Sequence, residues 1–155
     1  MTPIETVSLT AGIVCVGLFS GLMMSLVVLL QPKWRQQSAA EYITDIQPFL
    51  RVGKGNRVVT LILFVGLLAP IPTLLGSDPQ TRILTLVGLI VFGCGALGIT
   101  VLFNLPTYAA LMHLNAQSPT PDWEALRQRF YYLNVLRFLG STTAFALYLS
   151  VLIGL

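Results

Sequence analysis

Four stretches of this chain are too long and too uniformly apolar to be the interior of a small water-soluble domain. Residues 7–30, 58–75 and 83–103 contain no charged side chain, and residues 133–155 contain one, Arg137. A helix rises about 1.5 Å per residue, so about 20 apolar residues cross roughly 30 Å of bilayer hydrocarbon. Each stretch meets that length. The expected fold is therefore all-α: a single membrane domain over residues 1–155, a four-transmembrane-helix bundle spanning at 7–30, 58–75, 83–103 and 133–155. Only 10% of the 155 residues are charged and 55% are hydrophobic, against about 25% charged in soluble domains. This composition leaves little room for a soluble enzyme unit beside the spans. The net charge of +3 does not point to nucleic acid, because the basic residues sit in segments that flank apolar runs.

Those cations set direction. Lys33, Arg35, Arg51, Lys54 and Arg57 lie between the first and second spans, and Arg127, Arg129 and Arg137 flank or enter the fourth. Arg82 alone lies on the other side. Cytoplasmic loops carry the excess of Lys and Arg, so both longer loops are expected in the cytoplasm and both termini on the non-cytoplasmic side. The first span lacks the basic leader, short apolar core and cleavage site of a signal peptide and is expected to be retained.

Between the spans, Ser38-Ala39-Ala40-Glu41 fits a helix-opening capping box. Tyr42, Ile46, Phe49 and Leu50 follow at near-helical spacing. A short amphipathic helix over residues 39–51, lying at the membrane interface in the first cytoplasmic loop, is expected. Gly53-Lys54-Gly55-Asn56 ends it and reads as a basic turn, since it lacks the Gly-Lys-Ser/Thr ending of a phosphate loop. Gln31-Pro32 closes the first span, and Pro70 and Pro72 are expected to kink or end the second. Turn-forming residues 76–80 should make spans two and three antiparallel neighbours. Asp122 is expected to cap a long helix that runs from Trp123 through the fourth span. Gly17 and Gly21, four apart, permit either close packing within one bundle or a dimer seam. Cys15 and Cys94 lie in apolar runs without metal-ligand spacing and read as packing residues.

On the fourth helix Phe130, Asn134, Arg137 and Ser141 recur at helical spacing, forming one polar stripe that enters the membrane. Polar groups at that depth face the bundle interior or a water-filled space, because lipid cannot satisfy their hydrogen bonds. Asn104 at the end of span three and Gln31 at the end of span one should lie at similar depth. Two readings follow. In one, these groups floor a small-molecule pocket with apolar walls; in the other, Arg137 snorkels to the interface and Asn134 bonds a neighbouring helix. His113, the only histidine, has no second ligand-type residue at a metal or haem spacing, and no catalytic triad order can be assembled around it.

Taken together, Phe19-Ser20-Gly21 in a glycine-rich first span, Gln31-Pro32 at its end, Asn104-Leu105-Pro106 closing the third span, and Arg129-Phe130 followed by Asn134 and Arg137 form a pattern. In it the chain resembles the anthrone oxygenase-like family of small four-helix membrane proteins, over nearly its whole length. The family more typically has tryptophan where Phe130 stands and a second asparagine where this chain has Thr107-Tyr108. The resemblance implies cofactor-independent oxygenation of an aromatic polyketide such as an anthrone, with neither metal nor organic cofactor. It implies His113 as the base, Arg137 and Asn134 stabilising an enolate oxygen, Asn104 orienting the substrate carbonyl, and Phe130, Gln31 and Tyr108 beside the substrate. The expected partners are membrane lipids and a hydrophobic small molecule. An alternative of a different class is a non-catalytic accessory subunit of a larger membrane complex, suggested by the lack of a complete catalytic set; a carrier is disfavoured by only four spans and no internal repeat.

Overall fold

The computed structural model describes residues 1–76 and 78–154. The described residues contain helices and no strands. Helix α1 is Pro3–Arg35, α3 Arg57–Gly76, α4 Pro79–Met112 and α5 Trp123–Ile153, and all four are long and apolar enough to cross a membrane. Between α1 and α3 lies α2, Ala39–Gly53. Ser77 in the expected turn between α3 and α4, and Leu155 at the end of the fourth expected span, lie outside the described residues.

The long helices extend past the apolar runs, α1, α3 and α4 at both ends and α5 at its start. Thr2 caps α1: its backbone N–H donates to the Glu5 carboxylate at 2.8 Å and its hydroxyl accepts from the Glu5 N–H at 3.3 Å. That reciprocal pair satisfies amides that a helix start leaves free. At the other end α1 runs through Pro32, where a stop was expected. The five residues before it, Leu26–Leu30 and then Gln31, explain why: the Gln31 N–H bonds the Leu26 carbonyl, five residues back, so this turn is wide. A helical proline crowds the carbonyl four residues earlier and donates no hydrogen bond, and a widened turn moves that carbonyl aside. The same register recurs in α4, where the wide turn Thr100–Asn104 precedes Leu105 and Pro106, and the Leu105 N–H bonds the Thr100 carbonyl. The helix α3 does break at its prolines, leaving the α conformation after Leu68 and resuming at Thr73–Gly76. Helix α5 is a single run of 31 residues, about 46 Å long. The Asp122 side chain makes no capping bond, because its backbone is already helical.

Helix α5 packs against both α1 and α4, and α3 packs against α1. On α1, Leu9, Ile13, Val16, Phe19, Met23 and Leu26 recur every three or four residues and are buried. They meet Phe92 and Ala96 of α4 and Phe130, Ala144 and Tyr148 of α5 in one core. Close approach of α4 and α5 needs glycine at two crossings. A Cβ on Gly95 would lie 3.1 Å from the Gly140 Cα, and one on Gly88 would lie 2.5 Å from the Tyr148 ring. Gly17 packs inside the chain too, against the Phe145 ring, whereas Gly21 faces open space. Ile4, Val14, Leu18, Leu61, Ile90, Leu102 and Leu136 point outward and are exposed. Leaving such side chains in water forgoes roughly 1.5–3 kcal/mol each, a cost of tens of kcal/mol over the four helices that an apolar solvent removes.

The helices α3 and α4 touch in the halves near their connection, where the Thr73 hydroxyl meets that of Thr85 at 3.1 Å and Gly66 sits against Phe92. Their other halves enclose the main cavity. Helix α2 buries Tyr42, Ile43, Ile46 and Leu50 and packs on the last turns of α4. At its start the Glu41 carboxylate accepts from the Ser38 N–H and hydroxyl, both at 2.8 Å.

Candidate ligand cavity

The polar stripe foreseen on α5 exists, and all four residues are buried: Phe130, Asn134, Arg137 and Ser141. A straight α-helix keeps positions spaced four, three and four apart on one face. The Asn134 amide donates to the Phe130 carbonyl at 2.9 Å, which orients the side chain so that its oxygen accepts from the Arg137 guanidinium at 3.0 Å. The same guanidinium nitrogen donates to the Tyr108 hydroxyl at 3.4 Å. The guanidinium carbon lies 5.2 Å from the centre of the Phe19 ring, within the range of a cation–π contact.

Arg137 is only 4% exposed, and its Nε has no hydrogen-bond partner. Among the described residues the ion pairs are Lys33 with Asp45 and Arg127 with Glu124; neither involves Arg137. A guanidinium removed from water without a carboxylate carries a desolvation cost of several kcal/mol that hydrogen bonds to neutral oxygens only partly offset. Such a group is poised to take an anion.

It borders a cavity of about 410 Å³. The walls are mostly apolar: Leu22, Met23 and Leu26 from α1, Phe49 and Leu50 from α2, Leu63 and Phe64 from α3, and Leu97 and Leu105 from α4. The polar groups are few, with Tyr108 and Thr100 from α4 and Arg137 from α5, and Lys54, Asn56 and Thr60 on the side of the α2–α3 link. Three wide turns contribute to the wall: Leu26–Leu30 through Leu26, Gly93–Gly98 through Leu97, and Thr100–Asn104 through Thr100. Wide turns often occur at functional sites because they re-aim side chains. The Thr100 and Thr107 hydroxyls bond the carbonyls of Ala96 and Phe103, four residues back.

The other expected site residues are placed differently. Phe130 does not line this cavity; it stacks between Trp34 and Tyr108, with ring centres 5.9 and 5.7 Å away, and so props Tyr108. Asn104 is fully buried, and neither its amide nitrogen nor its oxygen has a partner. Gln31 is buried too, but borders a separate polar depression with Arg35, Glu124 and Arg127. His113 is exposed at the end of α4 and lines none of these cavities. The reason lies next door: the Gln47 amide donates to the Leu114 carbonyl at 2.8 Å, tying the turn after α4 to α2 and leaving His113 outside. No group of three His, Cys, Asp or Glu side chains converges among the described residues.

The loop end of the cavity is braced. Arg127 donates to the Trp34 carbonyl at 2.9 Å, adding a cation to a carbonyl at the end of α1 that also accepts from the Gln37 N–H. Lys33 and Gln37 both donate to Asp45, at 2.7 and 2.6 Å, which fastens α2 to the end of α1 and holds the Asp45 carboxyl below the usual carboxylate range. Burial pushes the Tyr42 phenol above its ordinary value. Sequence reasoning missed the contribution of residues 53–56, which read only as a basic turn. The flanking glycines that marked it as a turn also bring its backbone to the cavity, and that signal is not specific to a site.

The arrangement is a set of four membrane-length helices enclosing an apolar cavity with a desolvated cation at its wall. No protein family, curated protein or solved structure matches this chain.

Proposed function

We propose that this chain is a multi-pass membrane protein whose four spanning helices form a bundle, with α2 along the cytoplasmic interface and both termini on the opposite side. The cavity binds a hydrophobic small molecule through an oxygen that carries negative charge, or acquires it during reaction. The observation that carries this reading is Arg137, buried at an apolar cavity with no carboxylate partner. The activity proposed is cofactor-independent oxygenation of an aromatic polyketide or similar enolisable ring system, in line with the resemblance described above.

The chemistry requires stabilising an enolate. An anthrone methylene next to two aromatic rings loses a proton to give a carbanion delocalised onto the carbonyl oxygen. That oxygen faces Arg137, which is held by Asn134, and a preorganised cation at a developing oxyanion lowers the barrier. The carbanion gives one electron to dioxygen, the two radicals combine into a peroxide anion at that carbon, the proton removed at the start returns from water to give a hydroperoxide, and loss of water leaves a carbonyl. In sum, one CH₂ and one O₂ become one C=O and one H₂O. The Tyr108 hydroxyl, beside Arg137 at the wall, is positioned to relay the proton toward the loop end. His113 has no place in this scheme.

Oxygen uptake by the purified protein with an anthrone tests it. The wild type and His113→Ala should consume oxygen at equal rates, and Arg137→Ala should lose most of the activity. Equal rates in all three would remove the proposed site.

A further inference from the structure

The cationic character of the cavity does not stop at Arg137. Lys54 also lines it, on a turn flanked by Gly53 and Gly55, where Gly55 takes a left-handed conformation with φ of 74°. A second cavity, of about 310 Å³, shares Leu50, Lys54 and Tyr108 with the first and adds Arg51. No aspartate or glutamate lines either one. Arg51 and Lys54 are exposed, so they lie at the rim while Arg137 lies at depth. Elsewhere around this end Lys33 is paired with Asp45 and Arg127 with Glu124, while Arg35, Arg57 and Arg129 are in no ion pair among the described residues. The positive charge of Arg51, Lys54 and Arg137 meets no carboxylate in the walls of the two adjoining cavities.

We infer that the ligand is an acid: a flat or elongated apolar body with one oxygen against Arg137 and a second, permanently ionised group, such as a carboxylate, held at the rim by Lys54 with Arg51 beside it. The inference rests on the proposed ligand cavity and adds the chemical class of its occupant. An apolar body fills the space between α1, α3 and α4 and excludes water from it, which strengthens the deep contact. The rim contact is partly hydrated and weaker, so it selects among similar bodies by charge.

The test is binding of an anthracene carboxylate and the matching anthracene methanol, followed by fluorescence, to protein in nanodiscs of zwitterionic lipid. The carboxylate should bind wild type about tenfold more tightly than the alcohol. Lys54→Gln should abolish that preference with the alcohol unaffected, whereas Arg129→Gln, removing an exposed cation that lines neither cavity, should leave it intact. Equal binding of both probes to wild type, or a preference that survives Lys54→Gln, overturns the acid assignment while the cavity reading stands. Failure of both probes to bind overturns the two together.

Discussion

The guanidinium of Arg137 and the amide oxygen of Asn134, one helical turn apart on α5, are 3.0 Å from one another, and the Asn134 nitrogen is fixed by the Phe130 carbonyl. The pair is a fixed donor array that leaves Nε of Arg137 unused. It holds a cation in place without neutralising it.

That relationship predicts a divergence between stability and function. Arg137→Met keeps much of the side-chain volume and removes a buried, unpaired charge. Leaving the Asn134 oxygen unpartnered costs about 1–3 kcal/mol, and relief from burying the cation returns several. Thermal unfolding in detergent should show Arg137→Met as stable as wild type or more so, with binding lost. A variant that unfolds at markedly lower temperature would mean that Arg137 serves the fold.

Helix crossings should respond to added side chains where glycine is in contact and not elsewhere. Gly88→Val and Gly95→Val place carbon atoms against the Tyr148 ring and the Gly140 backbone and should each destabilise by about 1–3 kcal/mol. Gly21→Ala enters open space and should be neutral or stabilising by up to about 1 kcal/mol. Unfolding midpoints of the three variants check this, and a severe loss in Gly21→Ala would point to a partner covering that position.

The wide turns Leu26–Leu30 and Thr100–Asn104 are predicted to depend on the prolines after them. Pro106→Ala restores a donor and removes the crowding at the Leu102 carbonyl, so Thr100–Asn104 can tighten into an α-helix. Stability should hold or rise, while the altered rotation of Thr100 in the cavity wall weakens probe binding several-fold. Unchanged binding would show that the widened turn does not shape the cavity.

Acid should loosen α2 before it unfolds the helices it rests on. Asp45 has its carboxyl held below the usual range by hydrogen bonds from Lys33 and Gln37. A carboxyl lowered in the folded state contributes stability that is present above its unfolded value and lost as pH falls through its folded one. Protection of residues 39–53 against hydrogen exchange, relative to the intrinsic rate at each pH, should therefore fall as pH drops below the ordinary carboxylate range, and Asp45→Asn should show the reduced protection already at neutral pH.

What could be read in advance divides along regular and irregular backbone. The spans were legible because their apolar runs are long and nearly uncharged, and the α5 stripe because helical spacing persists along an unbroken α-helix. The burial of Asn104 and Gln31 was legible from depth alone. The continuation of α1 through Pro32 was not, since a widened turn leaves no periodic mark and a proline reads as a stop. Nor was the exclusion of His113, which depends on Gln47 reaching the carbonyls after α4 from 67 positions away in the chain. The cavity's use of Lys54 and Asn56 follows from how α2 docks, a tertiary fact with no local signature.

The central claim is that Arg137 meets a charged oxygen of a bound hydrophobic molecule. Equilibrium binding of a dihydroxyanthrone probe, measured without oxygen in zwitterionic nanodiscs for wild type and Arg137→Gln, tests it most directly. A hydrogen bond to a charged group contributes about 1.5–3 kcal/mol, so the account predicts about 10- to 100-fold weaker binding in the variant. Equal affinity of the two proteins would contradict it.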